Sequence, residues 1–423
     1  MKFPRDIALF RIRNLISGFA VMLCLGISLA WSLFVAPLEA YFGWTRANTS
    51  IIFTLSLLSF PLGGIVTSIL VRKGFRFYII FLLACILSST GFLLSTLITH
   101  VAQLAVTYGV FCGIATGMAY TSIISILPLW FPEKHATVTG FLLMGYALSG
   151  SVIGLIVAAL INRFGWKSAF YFLGMTSFLA LAAAAFLISP PNGRQTQQLP
   201  KRKESSLSEK HTNPDVSSSQ LVKTPAFWIY MLTAIFLTCC GMTVINHVSP
   251  IFTEALDSSL FFATIMVSVV SVTNGLSRFC FGFIWDRIGP YRTVKLIGIL
   301  YFTAVIIMFI AMNFRSQWLF IPGTCFALLG FGGISSTTPG YVRAIYGEKY
   351  FTQNYAIFNL SGLLPPFLGP MLIGGIRTAT GSYLPGFVIL IVFCTIGFIL
   401  SQTLKKVASL ESKPIQTLPK KPH

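Results

Sequence analysis

The chain has 423 residues, 55% of them apolar and only 10% charged, with a formal net charge of +19. A soluble domain carries roughly 25% charged residues, so this chain cannot clothe a water-exposed surface, and an ordinary soluble enzyme or binding module is excluded. In a soluble protein the basic excess would suit nucleic acid; here its placement along the chain decides its meaning.

Long apolar runs recur from end to end, each near the ~20 residues a helix needs to cross the hydrocarbon core. In chain order they fall at about 15–38, 47–71, 77–99, 101–124, 136–161, 167–189, 226–250, 259–284, 294–313, 317–340, 351–375 and 383–404. The fold class expected is therefore an all-α membrane protein with twelve transmembrane helices. The first run is too long for a signal-peptide core and ends without a small-residue cleavage site, so it is kept as the first helix. Pro339, Pro365 and Pro366 are expected to break the tenth and eleventh helices, which neighbouring helices tolerate by re-satisfying freed backbone groups.

Placing both termini in the cytoplasm puts 24 of the 30 cations in inner segments and five, Arg46, Arg163, Lys167, Arg315 and Arg377, in outer ones. That asymmetry is a positive-inside pattern and accounts for the net charge without nucleic acid. The one remaining cation, Arg278, lies inside a helix. All eight cysteines fall within predicted spans in neither a disulfide nor a zinc spacing, and read as buried thiols.

The only long polar stretch between spans, 190–224, divides an N-terminal bundle (1–189) from a C-terminal bundle (225–405), with a tail at 406–423. Its composition reads as a flexible cytoplasmic linker, whose Lys201-Arg202-Lys203 cluster offers contact to anionic lipid. The two bundles repeat. Gly74 after the second helix and Gly289 after the eighth are 215 residues apart, and so are Glu133 after the fourth and Glu348 after the tenth. A parallel repeat of six helices, with a site at the midplane where the repeats meet, is one plan of secondary transporters. Gly150-x-x-x-Gly154 and Gly332-Gly333 are expected to let helices approach closely.

The stretch Gly282-Phe-Ile-Trp-Asp286-Arg287-Ile-Gly289-Pro-Tyr-Arg292 resembles the G-x-x-x-D-R-x-G signature of the major facilitator superfamily. The resemblance implies a gating role for Gly282, Asp286, Arg287 and Gly289. The first-half copy is degraded, with Thr67 and Val71 where a glycine and the aspartate belong. Residues 31–55, 129–140 and 347–358 are similar to the oxalate/formate antiporter family, relatives of the monocarboxylate transporters. The resemblance implies transport of a carboxylate by alternating access in a cell inner membrane.

Arg278 lies eight residues before Asp286, about 12 Å into the eighth helix and close to mid-membrane. An intramembrane guanidinium by default marks a pathway or site, and none of the eleven carboxylates lies within a span. The simplest counter-ion is an anionic substrate, whose carboxylate the planar fork holds through two parallel hydrogen bonds; helix carbonyls, water and Asn274 are the structural alternative. Monocarboxylate transporters usually have an aspartate at the position of Asn274, and some dicarboxylate-handling relatives a lysine where Gly362 stands, so the resemblance with a single buried charge favours a monocarboxylate. Tyr146, Asn359 and Ser361 lie at the level of Arg278, while Tyr120 and Tyr355 lie nearer the cytoplasm, placed to close over substrate. Trp31 near the outer face is either a belt residue or an outer gate. His247, near the outer end of the seventh helix, is a possible proton site. Coupling otherwise comes from a counter-anion or from a substrate that crosses protonated.

No nucleotide loop, metal cluster or catalytic triad is found, so no cofactor or enzyme activity is expected. The chain is expected to work as a monomer. Two rivals stay open: a carrier for a bulkier compound, such as a drug or a carboxylate siderophore, and a membrane receptor that binds an anion without turnover. An intramembrane enzyme is the weakest option, for want of an acid/base pair.

Overall fold

A computed structural model of the protein describes residues 5–27, 31–200 and 215–411. Among them, twelve helices are long and apolar enough to cross a membrane. They are α1 (Arg5–Leu25, continued after a break by Ser32–Phe42), α2 (Arg46–Arg72), α3 (Phe77–Leu94), α4 (Val101–Trp130), α5 (His135–Phe164) and α6 (Trp166–Leu187). The second half contributes α7 (Pro225–Ala255), α8 (Leu260–Ile288), α9 (Pro290–Asn313), α10 (Gln317–Tyr346), α11 (Phe351–Thr380) and α12 (Leu384–Glu411). With twelve crossings, both ends of the chain and the segment joining α6 to α7 share one side, called here the linker face.

The first helix begins about ten residues before its apolar run, because its polar first turns are packed rather than solvated. Ile7 is buried with Trp130 and Leu199, and Arg11 pairs with Glu133 and lies over the Phe131 ring at 4.4 Å. Glu348, the repeat counterpart of Glu133, is likewise paired with an arginine, although not the equivalent one: Arg343 donates to it at 2.6 Å and lies over the Phe351 ring at 3.8 Å. Gly74 and Gly289 both turn at a left-handed φ, +84° and +82°. The offset read from the sequence thus joins positions with matching roles in both loop pairs.

Pro339 does not break α10, which stays α-helical from Gln317 to Tyr346. The hydroxyls of Thr337 and Thr338 donate to the Gly333 and Ile334 carbonyls, at 2.8 and 2.7 Å, in the turn that the proline disturbs. The eleventh helix is broken as expected: α-helix to Phe358, a 3₁₀ turn over Asn359–Leu363, a π turn over Phe367–Met371, then α-helix again from Leu372. Three prolines, at 365, 366 and 370, remove donors from consecutive turns there.

The linker, read as flexible from its composition, is folded over both ends that the structure describes. Gly193–Gln198 and Ser218–Leu221 form short helices, Leu199 is buried against Ile7 and Trp130, and the Trp130 indole donates to the Ser189 carbonyl at 2.7 Å. The basic cluster at 201–203 lies outside the described residues.

The halves meet along α5 against α8 and, toward the linker face, where α11 packs on α2 and α4. Away from the linker face no extended contact joins them among the described residues. Ser32–Phe42 packs on α2, α5 and α6 of its own half, and the π turn Ile251–Ala255 on α7 and α8 of its own. The molecule is therefore closed at the linker face and parted on the other.

Candidate functional site

Between the halves lies a cavity of about 230 Å³. Three contacts fix the register of α8 beside it. Ser277 turns into α10, donating to the Leu328 carbonyl at 3.2 Å; Gly275 meets Leu148 of α5; and Gly140 of α5 lies directly against the Arg278 carbonyl. The next side chain, Arg278, is left to line the cavity, only 5% exposed.

The other expected cavity residues gather around it. Tyr120, Tyr146, Tyr355, Asn359 and Ser361 all line the cavity. The Tyr120 and Tyr146 rings stand nearly perpendicular with centroids 5.3 Å apart, and the Tyr355 hydroxyl donates to the Tyr120 hydroxyl across the halves at 3.4 Å. Asn274 does not line the cavity; its side-chain oxygen accepts a long hydrogen bond, 3.5 Å, from Arg278 Nε. Among the described residues no carboxylate lines the cavity or forms an ion pair with Arg278. The amide nitrogen of Asn359 is buried with no partner there either. The cavity thus offers hydrogen-bond donors and one full positive charge, and an anion is what would satisfy them.

Depth counting along the sequence missed the neutral part of the wall. Ser56, Phe60 and Thr116 of the first half and Thr238, Ser335 and Thr338 of the second also line the cavity. A hydroxyl or a ring among hundreds of apolar residues carries no charge signal, and only the helix rotation, which hydropathy does not give, turns it inward.

Below the cavity the linker face is sealed by contacts between halves. Thr352 Oγ1 donates to Ser125 Oγ at 3.0 Å and Arg343 Nη2 to the Ser125 carbonyl at 3.3 Å. Arg343 is buried, yet in the sequence it is one inner-face cation among many. The signature residues lie in the same layer. Gly282 meets the Ala136 carbonyl of α5, Gly289 makes the left-handed turn, and Arg287 lies over the Phe283 ring at 4.2 Å. Asp286 accepts from the Ala136 and Thr137 N–H groups, at 3.2 and 2.8 Å, and from the Thr137 hydroxyl at 2.6 Å. A carboxylate on the first N–H groups of α5 is favoured by the helix dipole.

His247 stands apart from the cavity wall. Its Nε2 lies 2.9 Å from the Pro370 carbonyl, in the π turn of α11, with the Tyr383 ring beside it, 5.8 Å between centroids. This geometry uses the ring as a donor that ties α7 to the broken part of α11. A glutamine can make the same bond, so His247→Gln is expected to keep transport within about two-fold of wild type at any pH. His247→Ala is expected to lose about five-fold, the worth of one hydrogen bond. Initial uptake rates against pH would check both. Trp31 is buried and donates to the Thr49 carbonyl at 3.2 Å, so it is a packing residue of the first half rather than a belt residue.

Comparison with known proteins bears on this geometry. The family model described as Major Facilitator Superfamily matches residues 16–370. The chain is 26% identical to the oxalate:formate antiporter of Oxalobacter formigenes over 85% of this chain and 84% of that protein. It is 22% identical to monocarboxylate transporter 12 of Homo sapiens, over 93% and 79% of the two chains. Among solved structures, the proton:xylose symporter XylE bound to 6-bromo-6-deoxy-D-glucose superposes with a TM-score of 0.72 at 14% identity, over 94% of this chain and 96% of that one. FucP, a major facilitator transporter solved in its outward conformation, gives 0.66 at 13% identity, over 93% and 99%.

Proposed function

The chain belongs to the Major Facilitator Superfamily, and on that premise we propose that it carries a small monocarboxylate across a cell inner membrane by alternating access, with Arg278 as the cation that binds it. One observation carries the reading: a buried guanidinium within the eighth membrane helix lines the cavity between the halves, with no carboxylate paired to it among the described residues. Such a charge is costly where it stands, and a substrate that brings the opposite charge removes the cost on binding. The relatives named for oxalate, formate and monocarboxylates support the same class of cargo. Transport itself, in a chain of twelve membrane helices without enzymatic machinery, follows from the family.

Cavity size favours a small anion over a bulky one. Sites for drug-sized ligands are about 300–1,000 Å³, and this cavity is about 230 Å³. Its single positive charge matches one carboxylate. In the state described, substrate enters from the face opposite the linker and meets Arg278 beside Tyr120, Tyr146 and Asn359. Closing over it brings the parted ends of the halves together, and the linker-face seal then opens. The positive-inside pattern makes the linker face cytoplasmic, so this state opens outward. Among the described residues no carboxylate lines the cavity, which favours exchange of one anion for another over proton symport.

The test is uptake of labelled formate, acetate, lactate, oxalate and succinate into proteoliposomes, with and without a trapped counter-anion. Saturable uptake of a monocarboxylate that rises at least ten-fold with trapped anion is the expected result. Uptake of none of them would end the small-anion reading in favour of a bulkier cargo, and binding without uptake would favour a receptor.

A further inference from the structure

The 215-residue repeat makes Val71 the counterpart of Asp286. Asp286 caps the start of α5 from the neighbouring half. The corresponding helix start is that of α11, at Phe351, where Val71, a partly buried apolar residue, offers no acceptor. A carboxylate is nevertheless present. Asp215 Oδ1 accepts from the Lys349 N–H at 3.2 Å, two residues before α11 begins. It comes from the linker, and the residues after it are bound to the same loop. The Val216 N–H donates to the Tyr346 carbonyl at 3.1 Å, the Asn354 amide to the Val216 carbonyl at 2.9 Å, and the Ser218 hydroxyl to Asn354 Oδ1 at 3.0 Å.

We infer that Asp215 is a positioning residue which supplies, from the linker, an anionic group on the loop leading into α11, where the first repeat no longer carries one. How firmly the linker face closes is then set by linker docking on the second half. The other described end of the linker lies on the first half at the repeat-related loop, where Leu199 is buried against Trp130. The two described ends of the linker thus lie one on each of the two loops that must separate for the linker face to open. A negative charge near the first N–H groups of a helix stabilises the helix end, and α11 in its closed position packs on α2 and α4 across the halves. Loss of the cap frees the element that makes the seal.

The inference rests on the alternating-access reading, and the test separates the two. Spin labels on Lys73→Cys and Thr403→Cys, exposed positions at the linker-face ends of α2 and α12, in a cysteine-free full chain in nanodiscs, report the distance across that face. Asp215→Ala is expected to raise the ratio of longer- to shorter-distance populations about two- to thirty-fold, the range of helix-end charge effects. Asp286→Ala should shift it in the same direction, and Val71→Asp added to Asp215→Ala should bring the ratio back toward wild type. A shift with Asp286→Ala and none with Asp215→Ala overturns the inference alone. No shift with either variant overturns alternating access at this face and the inference with it, and failure of Val71→Asp to restore the ratio overturns the capping role.

Discussion

Uptake by Arg278→Ala is expected to fall at least about thirty-fold below wild type, with the protein still inserted and monodisperse. Removing one partner of a buried charge pair costs about 2–5 kcal/mol, and 2 kcal/mol is already about thirty-fold in affinity. The loss has to appear in substrate binding rather than in folding. Without substrate, the arginine is a burden on the protein, and its removal relieves a buried charge that lacks a carboxylate partner among the described residues. Thermal unfolding of the empty carrier should therefore be unchanged or raised in Arg278→Ala, while stabilisation by added monocarboxylate, present in wild type, should vanish.

Arg278→Lys separates charge from geometry. Lysine keeps the charge but not the planar fork that meets two carboxylate oxygens at once. It also cannot hold the long contact from Arg278 Nε to Asn274 while reaching the cavity. Its uptake should lie between those of wild type and alanine, with a raised KM. Equal activity of all three proteins would make the arginine structural and the anion reading wrong.

Much of this architecture was legible in the sequence because a bilayer leaves few alternatives. Apolar run length gave the twelve membrane helices, and the offset shared by Gly74 with Gly289 and Glu133 with Glu348 exposed the repeat. Within the site, Arg278 was legible because charge inside a span is rare, and the tyrosines because depth along a helix can be counted. Helix rotation cannot be counted in the same way, so Ser56, Thr116 and Thr338 stayed hidden. Arg343 was concealed by the very pattern that orients the protein, since one buried arginine at the inner end of a helix looks like its solvated neighbours. Asp215 was concealed by the polar composition around it. The expected small-residue contact at Gly150 is absent, for a Cβ there would meet nothing within 4 Å. The close approach expected at Gly332 is present, and two more occur at Gly140 and Gly282, where none was expected.

Those three glycines carry the second large effect, because they set how near α8 comes to its neighbours. A Cβ would clash with the Arg278 carbonyl oxygen at Gly140, with the Ala136 carbonyl oxygen at Gly282 and with Ser277 Oγ at Gly332. The first two contacts are with backbone, which cannot swing aside as a side-chain tip can. Gly140→Val must therefore push α5 and α8 apart where the halves meet most extensively, and such overpacking costs about 1–3 kcal/mol. Displacing α8 moves Arg278 off its partners and weakens the seal below it, so the loss should fall on transport more than on stability. At least about a ten-fold drop in uptake is expected at unchanged expression, which about 1.4 kcal/mol of that range already implies. Gly150→Ala, on the same helix but facing open space, should transport at the wild-type rate. Were Gly140→Val as active as Gly150→Ala, the α5–α8 contact would be loose enough to absorb a side chain, and it would not be what positions the arginine.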